Sequence, residues 1–414
     1  MASSVSRWIE HTRVLLIAEK GEKSALWERA KADASKWRLL QEQKPGGAGP
    51  TDMSYYYKFP DNFLVGVGAF GIVMRAFEFL SNKPVALKLF PNATRENSVM
   101  RQNAENEVAA MRYIQLTHND KCHENIICYQ RHFKALVGAN LLEKLTARSK
   151  QWWSNFRGLG LPFPQFDDTD WLEPQYFVET RYYPAESLEA LMARTKAEDA
   201  RHQITPLPGE EAKSIAWNLA MMASATGALA YLHSQDFYHR DLKPANMLIE
   251  RESDLWLPSV VLIDVGTACE RTHCSKTSKA DDFVGTMKYA TPNEYRKLLK
   301  IPIPGGGGAR VVIGQQRTNT RPLAAFDVYA LGACFHDWMK NSSSETPLTR
   351  SGPGYFHLSI SAWSLIERMI EPDDTKRITA EEAHKAFQEL SYTSGPFNPQ
   401  KRAASTELKL IPED

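Results

Sequence analysis

Apolar positions recur with two different periods along the chain, and the period changes near residue 90. Between Phe63 and Phe90 apolar and polar residues alternate on both sides of a glycine-rich turn, and a further run, VALKLF, follows the turn SNKP. Alternation puts successive side chains on opposite faces, so this stretch predicts a strand hairpin and a third strand. From Arg95 to Leu116 the spacing lengthens, and Met100, Ala104, Met111 and Ile114 share one helical face. A second long helix runs through Leu219, Met222, Leu229 and Leu232 and ends at YLHSQDF. Two short apolar runs, NMLIE and SVVLID, predict strands joined by RESDLWLP.

Upstream, residues 1–44 read as two helices broken near Gly21, with Leu26, Ala30, Ala34 and Trp37 at helical spacing. Trp8, Trp27 and Trp37 need a surface to bury against, so this extension is expected to pack on the main domain. The Gly- and Pro-rich KPGGAGPTD marks a boundary, giving a linker over 45–58. Two stretches interrupt the pattern. Residues 134–171 contain QWWSNFRGLGLPFPQFDDTDW, whose Trp152, Trp153 and Trp171 argue against plain disorder. Residues 297–323 contain IPIPGGGGARVVIGQQRTNTRP, whose opening Pro/Gly run is not helical. Residues 391–414 read as a tail.

Composition narrows the choices. The chain has 414 residues, 43% hydrophobic and 24% charged, which is ordinary for a soluble protein. Lys plus Arg number 50 against 49 Asp plus Glu, a net charge of +1, so neither nucleic acid nor an anionic membrane is expected as a partner. No apolar run approaches the ~18 residues of a membrane span, and Val14–Ala18 is too short for a signal-peptide core. Five cysteines make a disulfide framework unexpected and fit a reducing compartment, with the cytoplasm as default. His118, Cys122, His123 and Cys128 lie close together but lack the tight Cys-x-x-Cys pair of a zinc site.

Chemistry concentrates in YHRDLKPANMLIE, residues Tyr238–Glu250. Asp241 is a carboxylate able to orient a hydroxyl and accept its proton. Lys243 brings a cation that neutralises a moving phosphoryl group, and Asn246 brings a carboxamide able to ligate Mg²⁺. Phosphoryl transfer is mostly positioning and charge stabilisation, so such a loop needs little else. Gly66, Gly68 and Gly71 form G-x-G-x-x-G, with Val73 completing the run inside a hairpin. Glycines there let backbone amides approach phosphate oxygens. Lys88 on an otherwise apolar strand needs a counter-charge.

These motifs, in this order over roughly residues 59–390, resemble the eukaryotic-type protein kinase family, serine/threonine type. The resemblance implies an α+β, bilobal fold with a mostly β small lobe (about 59–180), a mostly helical large lobe (about 181–390) and ATP·Mg²⁺ between them. It implies that Lys88 contacts the α- and β-phosphates and pairs with Glu107, with Glu105 as the alternative. Nucleotide contacts are expected at Gly66, Val67, Gly68, Gly71, Val73, Ala86, Val178, Glu179, Arg181 and Leu248. Val178 would be the gatekeeper, and the backbone of Glu179 and Arg181 would bond adenine. Asn246 and Asp264 would hold Mg²⁺, while Lys243 close to Asp241 favours Ser/Thr acceptors on protein substrates. Asp264 opens DVG where the family usually has DFG, so Val265 fills less space beside His239 and puts regulation in question.

Thr272, Ser275, Thr277 and Ser278 would lie in the activation segment near Arg240. The resemblance extends to VGTMKYATPNEY, where Thr286 and Tyr289 match the peptide-binding segment and Glu294 would anchor on Arg377. Asp327 would bond the catalytic-loop backbone. The N-terminal helices and the two inserts are candidate docking surfaces for a regulatory partner. Two other classes stand beside this one, a nucleotide-binding pseudokinase scaffold and a small-molecule kinase of similar fold.

Overall fold

The computed structural model describes residues 22–40, 53, 56–68, 71–91, 93, 99–154, 173–199, 210–251, 258–271, 274, 285–291, 323–340 and 360–394. The alternating runs form strands as their period requires. Strands β3 (Leu64–Gly68), β4 (Gly71–Glu78) and β5 (Pro84–Phe90) follow one another antiparallel, and β5 pairs with β7 (Gln175–Arg181), itself paired with β6 (Tyr129–Ala135). One face of this sheet buries Ile72, Met74, Ala76, Leu87, Leu89 and Phe177 with Tyr57, Phe63 and Phe133. The opposite face carries Phe90, Tyr176 and Val178 toward helix α2 (Val99–Thr117), whose Ala104, Val108 and Met111 are buried. The stripe read from the sequence is therefore the packed face of α2.

Below the sheet, helix α5 (Glu210–Ser234) buries Leu219, Met222, Leu229 and Leu232. It packs on α6 (Leu323–Lys340) and α8 (Ala380–Ser394), with α7 (Ile360–Met369) against those two. Gly227 lets α8 come close: a Cβ there would meet the His384 ring at 2.8 Å, and that ring bonds the Ala223 carbonyl at 2.8 Å. Strands β10 (Met247–Arg251) and β11 (Pro258–Leu262) pair as expected, and β8 (Glu186–Ser187) joins β10. Helix α4 (Leu188–Asp199) starts where Ser187 Oγ accepts from the Ala190 N–H at 3.1 Å. The architecture is a sheet-based small lobe on a helical large lobe, the bilobal α+β fold expected from sequence.

Three expectations need correction, and part of the first insert takes a structure that the sequence left open. The N-terminal helix α1 covers 22–34 and stops before Trp37. Trp37 keeps helical spacing but packs on the sheet, its ring 4.6 Å from His132 and 4.5 Å from Tyr176. The chain then forms β1 (Arg38–Leu39), parallel to β6, so the extension contributes to the small-lobe sheet. The supposed linker also contributes, as β2 (Tyr57–Lys58) pairs with β4. Within the first insert, 139–154 is helix α3, which covers the sheet with Leu141 and Leu145. Finally, two cysteine pairs are bonded, Cys122–Cys128 and Cys269–Cys274. Each closes a short local turn, six and five residues apart, with Cα atoms at 5.2 and 5.6 Å, so a count of cysteines gave no sign of either. Residues 1–21, Trp171, most of 297–323, the tail beyond Ser394, Glu294, Thr272, Ser275, Thr277 and Ser278 lie outside the described residues.

Candidate active site

Lys88 sits on β5 with its side chain turned to α2. Its Nζ lies 2.6 Å from Glu107 Oε2 and 3.1 Å from Asp264 Oδ1. The partner is Glu107, while Glu105 pairs with Arg101 at 3.0 Å. One lysine thus joins a helix of the small lobe to the end of a large-lobe strand. Burial opposes the charge on Lys88, but Asp264 and Glu107 outweigh it and hold its pKa above the usual lysine value. Lys88 holds the Asp264 carboxyl below its ordinary range. Burial pushes Glu107 up against the pull of Lys88, so Glu107 is the carboxyl that protonates more readily.

Asp264 takes φ of 59°, a left-handed conformation uncommon for a side-chain-bearing residue, and so does Arg240 at 70°. Strain of this kind persists only where its surroundings fix it. Val265 behind it is fully buried in the cluster that contains Val108 and Met111. His239 and Thr267 tie the two segments together: His239 Nε2 lies 3.1 Å from the Ile263 carbonyl, and Thr267 Oγ1 donates to the His239 carbonyl at 3.0 Å.

The second half of the site is the loop after β9 (Phe237–Tyr238). Asp241 Oδ2 accepts from Lys243 Nζ at 2.7 Å, and Asp241 Oδ1 accepts from Thr286 Oγ1 at 2.8 Å. Asn246 Nδ2 donates to the Asp241 carbonyl at 2.8 Å, which turns its amide oxygen away from that group. Beneath, the buried Asp327 carboxylate accepts from the backbone N–H of His239 and of Arg240, both at 2.8 Å, and lies 3.1 Å from His233 Nε2. Burial would raise Asp327, but His233 and these N–H groups hold it below the ordinary range. Asp327 thus fixes the loop backbone, as expected from sequence.

Asp264 and Asn246 offer an anionic carboxylate and a carboxamide oxygen. That set suits Mg²⁺, which keeps waters and takes one or two carboxylates plus phosphate oxygens. Among the described residues no cluster of three or more His, Cys, Asp or Glu gathers into an all-protein metal site. Around Lys88, Val67, Val73, Ala86 and Leu248 stay partly exposed beside fully buried neighbours, as residues lining an open cleft do. Gly71 needs to be glycine: its φ is +156° and a Cβ would lie 2.6 Å from the Leu89 carbonyl. Gly66 has open space where a Cβ would be, and Gly68 pairs with Gly71 across the turn. Val178 is buried directly across from Lys88.

The Glu179 and Arg181 backbone, which the resemblance sets beside adenine, is engaged elsewhere. Glu179 lies mid-strand in β7, which is paired on both edges, and the Arg181 N–H donates to the Cys128 carbonyl at 2.9 Å. These backbone groups are committed to the sheet. The chain leaves it only after Arg181, so residues 182–185 form the link to β8 and the large lobe. The Glu179 side chain points to the other face, where it accepts from Tyr57 Oη and, at 2.9 Å, from Arg131 Nε. Arg131 Nη2 also donates to Tyr57 Oη at 2.7 Å. Sequence reasoning missed this network, because its members lie in three segments with no shared motif. Arg377 bonds the Glu371 and Ala325 carbonyls and pairs with Asp374 at 2.8 Å.

Comparison with known proteins agrees with this architecture. Residues 175–298 match the family described as protein kinase domain. Serine/threonine-protein kinase Sgk3 of Rattus norvegicus is 30% identical over 190 residues, 43% of this chain and 34% of the relative. 3-phosphoinositide-dependent protein kinase 1 of Rattus norvegicus is 28% identical over 178 residues, 41% of this chain and 29% of the relative. Extracellular signal-regulated kinase 2 of Dictyostelium discoideum is 25% identical over 348 residues, 77% of this chain and 76% of the relative. The chain spans about a third of the length of the first two. Over these residues the chain is similar to protein kinases of the eukaryotic type, and the Sgk3 relative is a serine/threonine-protein kinase. No helix among the described residues is long and apolar enough to cross a membrane.

Proposed function

We propose that the chain is an ATP-dependent protein kinase acting on serine and threonine hydroxyls of protein substrates. The observation that carries this is the joining of two charged sets: Lys88 with Glu107 and Asp264, and Asp241 with Lys243, Asn246 and Thr286. ATP·Mg²⁺ supplies the γ-phosphoryl group and the cation that neutralises its charge. Lys88 would hold the α- and β-phosphates, Asp264 and Asn246 would hold the metal, and Gly66–Gly71 would cover the phosphates. Residues 182–185, rather than Glu179 and Arg181, would border adenine. Asp241 would orient the acceptor hydroxyl and take its proton, while Lys243 neutralises charge on the group in transit. Thr286, bonded to Asp241, would align the acceptor segment. ATP and Mg²⁺ supply goes with a cytoplasmic setting, whereas the two bonded cysteine pairs are uncommon there.

The test is radiolabelled phosphate transfer from ATP·Mg²⁺ to a basic protein and a degenerate peptide mixture, with wild type beside Asp264→Ala. Transfer to Ser or Thr by wild type alone is the expected result. No transfer by either, with ATP still raising the melting temperature, would replace the enzyme with a nucleotide-binding scaffold. Turnover of small alcohols in preference to peptides would replace it with a small-molecule kinase.

A further inference from the structure

The N-terminal segment 22–39 lies against three parts of the molecule at once. Helix α1 buries Trp27, Ala30 and Ala34. The Trp27 ring meets Tyr113 of α2 edge-on at 5.6 Å and Phe237 at 5.8 Å. Tyr113 in turn stacks on Phe237 at 5.1 Å, and its hydroxyl donates to the Gln235 carbonyl at 2.9 Å. Phe237 opens the short strand that leads into the Asp241 loop. At the start of α1, Lys23 Nζ donates to the Ser234 carbonyl at 2.9 Å and lies 3.6 Å from Asp236. At its end, Asp33 lies 3.8 Å from Arg112 of α2. Beyond it, Trp37 packs on Tyr176, and β1 pairs with β6.

Helix α2 therefore has the Lys88 cluster on one side and this segment on another. Glu107 and Tyr113 are six residues apart, less than two turns, so displacing one end of that interval displaces the other. Swinging α2 away from Lys88 would pull Tyr113 off Trp27 and expose an indole that is now 2% accessible. We propose that segment 22–39 is a strap that holds α2 in place, with Trp27 as a positioning residue keeping Glu107 on Lys88. This inference rests on the kinase reading for its effect on turnover, but its structural part stands apart from that reading. Arg112 and Tyr113 take the strap on the outer side of α2, whereas Glu107 acts on the inner side. Loss of the strap therefore loosens the ion pair without touching a reacting group.

The experiment uses the full chain as wild type, Trp27→Ala, Trp27→Phe and Lys23→Ala. Backbone hydrogen exchange is followed over 99–117 and over 210–234, and kcat is normalised to nucleotide-binding stoichiometry. Trp27→Ala is expected to lose protection in α2 while α5 keeps it. Its kcat is expected to fall about tenfold or more at unchanged KM for peptide. Trp27→Phe should restore most of both, and Lys23→Ala should fall between. Unchanged α2 exchange in folded Trp27→Ala, or equal loss in α2 and α5, would overturn the strap. If Trp27→Ala fails to fold, Lys23→Ala carries the same readouts, and wild-type values for it would overturn the proposal. A wild type with no transfer would sink the kinase reading, while the exchange data would still decide the strap.

Discussion

The two halves of the site are held by different means. The large-lobe half, Asp241 to Asn246, is fixed from within and from directly beneath: Lys243 and Asn246 bond Asp241 itself, and Asp327 grips two consecutive backbone N–H groups. The small-lobe half depends on elements far apart in sequence, since Lys88 is 19 residues from Glu107 and 176 from Asp264. The first half is a loop with its own scaffold. The second exists only while α2 stays packed, so it is the half that the rest of the molecule can influence.

The sharpest way to break that contrast is to remove one charge from each half. Asp241→Asn should reduce phosphate transfer by about 10³-fold at a nearly unchanged melting temperature, because the Asn oxygen still accepts from Lys243 while its NH₂ donates to the Thr286 hydroxyl, which can accept as well as donate. A large loss of stability would show the loop to be less self-supporting than described. Lys88→Met should reduce transfer by about 10²-fold and also lower stability by about 2–4 kcal/mol, because it leaves Glu107 and Asp264 facing each other without a cation. Calorimetry beside the transfer assay checks both, and an unaltered melting curve for Lys88→Met would mean that the cluster is solvated.

This contrast also governs what the sequence could reveal. The Asp241 loop was legible because its groups sit within six consecutive residues, so spacing alone brings them together. Glu107 was legible only through the resemblance, which set it four residues before Met111 on α2 and left Glu105 as the alternative. The engagement of the Glu179 and Arg181 backbone in the sheet was not, because the length of β7 is set by its pairing, with Val85 opposite Arg181, and an apolar run does not count its partners. Tyr57, Arg131 and Glu179 meet across three strands, which no local pattern records. Trp37 kept helical spacing while leaving the helix, since the sheet edge offered Tyr176 and His132 instead. Tertiary packing decided each of these cases.

Acid separates the halves more gently. Glu107 is pushed up by burial and Asp264 is held down by Lys88, so falling pH protonates Glu107 first. The ion pair is intact above the Glu107 pKa and lost below it, so the acid limb of kcat should lie above the ordinary glutamate range. Glu107→Gln should be about tenfold slower at neutral pH and lack that limb, turning down only at lower pH where Asp264 protonates. A pH–rate profile with the same acid limb in both proteins would assign the limb to another group.

The smallest expected effect concerns Val265, the residue between the halves. Resemblance suggested that valine leaves space where the family usually has phenylalanine, which would make Val265→Phe a repair. The structure argues otherwise, because Val265 is already fully buried in the cluster that holds Val108 and Met111. Added volume in a filled site forces neighbours off their rotamers, at about 1–3 kcal/mol. Val265→Phe should therefore lower the melting temperature and slow transfer only a few-fold, since no charged group is removed. A higher melting temperature would reveal a void between α2 and the Asp264 turn. In that case the weak lock on the small-lobe half would come from loose packing as well as from its long-range ion pair.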